Sequence, residues 1–215
     1  PNLDHEYLSS NDFDWVQVER ELGVHNREEM NLAYLAIDRH ADSPRRDKTA
    51  LYWERRNGET ESYTFAELGT LTNKFANVLA GLQLTKGDRV FTFMGRIPEV
   101  YITLFGSLKF GAIAGPLFAD FGPDPVKDRL QDSEAKVLVT TPALRDKIAA
   151  IFPELPALKH LIIVDREGDY TYQKEDLNYQ GIMTDASADF PGIRTGADDY
   201  SIMHYTSGTT GKPKG

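Results

Sequence analysis

Ten residues at the end of the chain, Thr206 to Gly215, hold three glycines, four hydroxyl side chains and two lysines. This mixture suits phosphate. Glycines let the backbone approach a ligand closely and turn several N–H groups inward, hydroxyls donate to the oxygens, and a lysine supplies a mobile point charge. A plain solvated loop after a strand has a similar composition, so residue types alone favour phosphate by only about two to one. Spacing narrows the device. A P-loop needs a glycine five places before the glycine of its Gly-Lys pair and a hydroxyl after the lysine; those places hold Thr206 and Pro213. Pro213 also has no N–H to add to an amide cradle. No Gly-x-Ser-x-Gly elbow occurs and Ser207 has no identifiable base, so a serine hydrolase is excluded.

Other candidates carry less. His204 precedes the segment and reads as a packing histidine, and His40 as a cation at a helix end or a bystander. His5, His25 and His160 lack metal-ligand spacing. Asp198-Asp199 reads as solvating a turn. Arg145 and Lys147 read as two surface cations on a helix. The whole chain of 215 residues, 40% hydrophobic and 27% charged with a net charge of −9, is an ordinary globular composition. Its acidic balance argues against general nucleic-acid binding or adhesion to an anionic membrane. With no cysteine, a disulfide framework, a thiolate metal site and a cysteine nucleophile are all excluded. Asp4, Glu6, Asp12 and Asp14 leave no basic start before an apolar stretch, so no signal peptide is read and a cytoplasmic location is expected. The apolar stretch from Val100 to Phe118 contains Lys109, Gly111, Gly115 and Pro116 and reads as a helix followed by a buried strand, not a membrane span.

The elements that must position the glycine-rich segment follow from periodicity. Residues 1–29 read as an arm with one short helix from Asp14 to Leu22. A helical stripe of Leu32, Leu35, Ala36 and Ile37 follows. Thr49 to Arg56 and Glu59 to Tyr63 form a hairpin about Asn57-Gly58. Thr64 to Glu67 is a capping box that starts a helix with Leu68, Leu71, Phe75, Val78, Leu79 and Leu82 inward. Strand and helix then alternate: strand Arg89 to Met94, helix from Pro98, strand Ala112 to Leu117, helix around Val126 and Leu130, strand Lys136 to Thr140, helix Pro142 to Ile151, strand His160 to Asp165. After a looser stretch with one short helix near Tyr179 to Ala186, a last strand is expected from Tyr200 to Tyr205. Successive βαβ units predict an α/β fold with a mainly parallel sheet covered by helices.

The segment Tyr205 to Gly215, YTSGTTGKPKG, resembles the phosphate-binding signature of the adenylate-forming enzymes, the superfamily of acyl-CoA synthetases and adenylation domains. The likeness extends through YTFAEL (63–68), LTNKFANVLAGL (71–82), KGDRV (86–90) and LKFGAIAGPLF (108–118). NLAYLAIDRHA (31–41) and FADFGPDPVKDRLQDSEAKVLVTT (118–141) resemble AMP-forming acetyl-CoA synthetases of the shorter bacterial type. Gly95 departs from the proline usual there.

The resemblance implies the N-terminal section of the large domain over residues 30–215. It implies a reaction in which acetate attacks the α-phosphorus of ATP, giving acetyl-AMP and pyrophosphate, after which coenzyme A takes the acetyl group; magnesium accompanies the nucleotide. It implies that Thr206, Ser207, Gly208, Thr209, Thr210, Gly211 and Lys214 hold the ATP phosphates, with Lys212 solvated. Arg145 lies near where related enzymes touch the nucleotide end of coenzyme A. The adenine pocket, the ribose-binding acid and the catalytic lysine would lie after Gly215, so the chain is expected to be a piece of something longer, inactive by itself and prone to self-association. The alternatives are a synthetase for longer acyl chains, an adenylation domain serving a carrier protein, and a noncatalytic binding module.

Overall fold

A computed structural model describes residues 14–24, 26–206 and 214–215. Helix α1, Trp15–Leu22, starts at Asp14, whose carboxylate accepts from the Val16 amide at 2.9 Å. The helical segment before residue 42 contains a π-turn at Tyr34–Asp38. That wider turn changes which residues face inward: Ala33 and Ile37 are buried, whereas Leu32, expected inside, is exposed.

The hairpin forms as its Asn-Gly pair requires. Strands β1, Thr49–Glu54, and β2, Thr60–Thr64, pair antiparallel, with Gly58 at φ 89° in the turn. Helix α2, Phe65–Gly81, follows at once. Its capping box is complete: the Glu67 amide donates to Thr64 Oγ1 at 3.2 Å, and the Thr64 amide donates to Glu67 Oε2 at 2.8 Å.

Five strands make the parallel sheet, in the spatial order β4-β3-β5-β6-β7. They are β3 Arg89–Met94, β4 Ile113–Phe118, β5 Val137–Thr140, β6 His160–Ile163 and β7 Asp176–Asn178. The connecting helices are α3 Pro98–Phe110, α4 Pro123–Asp132, α5 Pro142–Ala149 and α6 Tyr179–Asp185. Proline opens each of α3, α4 and α5, where its missing N–H would have had no helical partner. Alternate residues of each strand divide the core. Val90, Met94, Val137, Val139 and Ile162 join Phe75, Leu79, Ile102 and Tyr179 on a first face under α2, α3 and α6. Phe91, Phe93, Leu138, Leu161 and Ile163 join Val126, Leu130 and Ile148 on a second face under α4 and α5.

Two expectations are corrected. Residues 200–205 do not form a strand: they meet β4 through a single parallel bridge, Ala114 with Ile202. The Ala114 amide donates to Ser201 O at 2.9 Å and the Met203 amide donates to Ala114 O at 2.9 Å. The next donor on that side of β4 would be residue 116, and Pro116 has none, so the ladder stops. Conversely β7 was not expected, because Asp-Leu-Asn carries little strand preference. What seats it is Asp176, whose carboxylate accepts from Arg145 Nε at 2.7 Å, Tyr170 Oη at 2.7 Å and the Gln173 amide at 2.8 Å.

Candidate functional site

The residues leading into the glycine-rich segment pack on the second face. Along 202–206 the side chains alternate, with Met203 and Tyr205 packed on the core and Ile202, His204 and Thr206 outward. His204 is thus exposed, not a packing histidine. Ser207, Gly208, Thr209, Thr210 and Gly211, with Lys212 and Pro213, lie outside the described residues. The two ends that are described meet. The Thr206 amide donates to Lys214 O at 3.1 Å and the Lys214 amide donates to Thr206 O at 3.3 Å, so the segment begins and ends at one place. Both residues are exposed.

Tyr205 forms the post at that place. Its phenol donates to Asp132 Oδ2 at 2.7 Å and lies 3.2 Å from Arg129 O, both at the end of α4. Burial, then the adjacent Asp132 carboxylate, push its ionisation well above the usual phenol range, so it stays a donor at any ordinary pH. The Arg129 guanidinium stands 4.4 Å from the Phe121 ring centroid and 5.7 Å from that of Tyr205, and its Nη1 donates to Pro125 O at 2.7 Å. On the far side of the segment Gly215 rests on the same ring: a Cβ there would lie 2.9 Å from Tyr205 Cε1 and Cζ. The sequence placed Tyr205 in the motif but gave no signal for Arg129 or Asp132.

Arg145 and Lys147 are not two solvated cations. Arg145 is buried and spends Nε on Asp176. Lys147 Nζ donates to Ala119 O at 3.2 Å and Phe121 O at 3.0 Å. Asp199 serves its turn, accepting from the Gly196 amide at 2.6 Å, and pairs with Lys86 at 2.7 Å. His40 stacks on Phe65 at 4.8 Å; burial and then Arg39 and Arg45 lower its pKa, which disfavours a helix-end cation. His160 is also lowered, by burial. Among the described residues no group of three or more His, Cys, Asp or Glu side chains could hold a metal ion.

A second buried polar centre lies on the first face. Lys109 Nζ is ringed by Asp38 Oδ1 at 2.7 Å, Asn73 Oδ1 at 2.7 Å, Thr72 Oγ1 at 2.9 Å and Gly69 O at 3.3 Å. It borders a cavity of about 560 Å³ walled by 29–46, α2 and 189–195. That cavity is remote from the segment's foot, which lies across the sheet.

A five-stranded parallel sheet with helices on both faces defines a doubly wound α/β domain. The chain belongs to the AMP-binding enzyme family, whose match runs over residues 37–215. It is 42% identical to the acetyl-coenzyme A synthetase of Bacillus subtilis over 204 residues, covering 94% of this chain and 35% of that protein. It is 35% identical to that of Magnetococcus marinus over 199 residues, covering 86% of this chain and 31% of that protein. The chain therefore spans about a third of the length of these relatives. A crystal structure of Brucella canis acyl-CoA synthetase superposes with a TM-score of 0.86 at 27% identity, covering 99% of this chain and 37% of that one. The anthranilate CoA ligase AuaEII, at 24% identity and a TM-score of 0.76 over 86% of this chain and 34% of its own, shares the fold.

Proposed function

We propose that this chain is the N-terminal section, residues 30–215 with a preceding arm, of an AMP-forming acetate–CoA ligase. The observation that carries the reading is the likeness to acetyl-coenzyme A synthetases over 94% of the chain, beside a family match that runs through the glycine-rich segment to residue 215. In the first step an acetate oxygen bonds to the α-phosphorus of ATP and the bond to the β-phosphate bridging oxygen breaks, leaving acetyl-AMP and pyrophosphate. Charge builds on the departing β and γ phosphates. Amide, hydroxyl and ammonium donors fixed in advance around them lower that barrier because they need no reorganisation as the charge develops. Thr206, Ser207, Gly208, Thr209, Thr210 and Gly211 are assigned to wrap those phosphates, and Lys214 to supply the cation. Closure of the segment at Thr206 and Lys214 supports this by bringing the backbones of the first hydroxyl residue and of the lysine side by side.

In the second step the coenzyme A thiolate attacks the acetyl carbonyl and AMP leaves. Arg145 is assigned to the coenzyme's phosphates only through its terminal nitrogens, since Nε is engaged by Asp176. Magnesium would enter with the nucleotide; no described residue of this chain is assigned to it and no step depends on one. The adenine, ribose and acetate contacts are assigned to sequence after Gly215. Accordingly the 215-residue polypeptide by itself should bind MgATP only weakly and self-associate through apolar groups such as Phe118, 74% exposed, and Tyr200, 84% exposed. Calorimetry and light scattering check this; micromolar affinity in a monomer would contradict it. The full-length protein incubated with acetate, MgATP and coenzyme A should yield AMP and acetyl-CoA in equal amounts. Formation of ADP, or turnover only with long-chain or amino acids, would overturn the assignment.

A further inference from the structure

Whatever the glycine-rich segment holds must be held in a fixed place, and its described ends show how. Both ends converge on one side chain. Thr206 follows Tyr205 in the chain and is bridged to Lys214, while Gly215 lies so close to the Tyr205 ring that a Cβ there would meet it at 2.9 Å. Tyr205 is in turn fixed from three directions: its phenol donates a hydrogen bond to Asp132 Oδ2 at 2.7 Å, Arg129 stands over its face, and the buried Phe91 lies 6.5 Å away between ring centroids. Arg129 is itself only 8% exposed and clamped by Phe121 and Pro125 O, so the support is rigid.

We propose that Tyr205, tied to α4 by Asp132 and Arg129, is a positioning residue that sets where the segment presents its phosphate donors. This rests on the reading of that segment as the phosphate holder. Tyr205 touches no substrate in this scheme; it acts through Thr206 and Lys214. The two-ended grip matters because donors displaced by about 1 Å lose much of their catalytic worth, of the order of a hundredfold in rate. Asp132 fixes the ring's direction, and the Gly215 contact fixes the segment's far end upon it. Gly215 suits that contact because any side chain would have to displace the ring or the segment.

The test uses the full-length protein and acetate-dependent exchange of labelled pyrophosphate into ATP, with KM measured separately for ATP and acetate. Wild-type exchange first establishes the reading on which the proposal rests, and its absence counts against that reading alone; thermal melts and binding of inorganic pyrophosphate by wild type and variants test the positioning role separately. Tyr205→Phe keeps the ring and loses the tie to Asp132; Asp132→Ala loses the same tie from the other end, and Asp132→Asn keeps an acceptor. Tyr205→Phe and Asp132→Ala should each lower kcat/KM for ATP about tenfold and weaken pyrophosphate binding, with KM for acetate and the melting temperature nearly unchanged. Asp132→Asn should recover most of the loss. Gly215→Ala, which disturbs the other grip, should behave like Tyr205→Phe. Wild-type KM for ATP and wild-type pyrophosphate binding in Tyr205→Phe and Gly215→Ala would overturn the proposal, as would equal losses toward ATP and acetate that track a lowered melting temperature.

Discussion

Lys109 and Arg129 are cations buried on opposite faces of the sheet, and they are satisfied differently. On the first face Lys109, 2% exposed, is surrounded by a carboxylate and three neutral oxygens drawn from the 34–41 segment and α2. On the second face Arg129, 8% exposed, lies between two aromatic rings and donates to a backbone carbonyl. An ammonium is a compact charge that needs convergent acceptors, whereas a planar guanidinium can stack on rings. The first arrangement fastens the N-terminal segment to the helices. The second orients Tyr205 and, through it, the foot of the glycine-rich segment. Buried charge thus serves cohesion at Lys109, as at Arg145 with Asp176, and placement at Arg129.

The largest effect expected from this contrast is on stability. Lys109→Met leaves Asp38 without its cation, and breaking such a buried pair costs about 3 to 5 kcal/mol. Burial already pushes the Asp38 carboxyl up and the Lys109 ammonium down, so neither can stay charged alone without cost. Urea unfolding measures this, and a loss under about 1 kcal/mol would show that the pair contributes little.

Next comes the segment itself. In the full-length enzyme Lys214→Ala should raise the adenylation barrier by about 2 to 4 kcal/mol, as for other donors that act on developing charge, and Lys212→Ala far less. Equal losses would remove the distinction between the two lysines.

Two glycines sharpen the comparison of faces. A Cβ at Gly106 would meet Phe75 Cβ at 2.8 Å on the first face, and one at Gly115 would meet the Phe91 ring at 2.3 Å on the second. Either alanine substitution should destabilise by about 1 to 3 kcal/mol through overpacking. Only Gly115→Ala should also raise KM for ATP, because Phe91 neighbours Tyr205. The same kinetic change in Gly106→Ala would mean that the faces are not functionally separate.

The smallest effect concerns acid. Burial raises the Asp88 and Asp176 carboxyls, but their partners outweigh it: Lys136 and Thr85 for the first, and Tyr170, the Gln173 amide and Arg145 for the second. Both fall below the ordinary 3.8. A carboxyl whose folded pKa is depressed contributes stability that is present above its unfolded pKa and lost as pH falls through the folded value. The loss should therefore begin below about pH 4. Asp176→Asn should flatten that slope in urea midpoints taken between pH 5 and 3, and an unchanged slope would remove Asp176 from the account.

Much of this was legible in the sequence. Asn57-Gly58, the Thr64 capping box and the prolines at 98 and 142 act within a few residues of themselves, so the hairpin and those helix starts could be read directly. Apolar alternation gave the sheet. What escaped depends on partners far along the chain. Residues 200–205 look like a strand by composition, yet their pairing ends because Pro116 offers no donor. β7 exists because Asp176 finds Arg145 thirty-one positions away. The candidate site divided in the same way: the residue types of the segment favour phosphate over a plain solvated loop, while the post at its foot needed Arg129 and Asp132, more than seventy positions earlier.

The central claim is that the parent enzyme activates acetate as an adenylate. Purified full-length protein mixed with MgATP, labelled pyrophosphate and acetate, with coenzyme A left out, measures that step directly. Label should enter ATP when acetate is present and not when it is omitted. Exchange that ignores acetate but answers to a longer acyl or amino acid, or no exchange without coenzyme A, would contradict it.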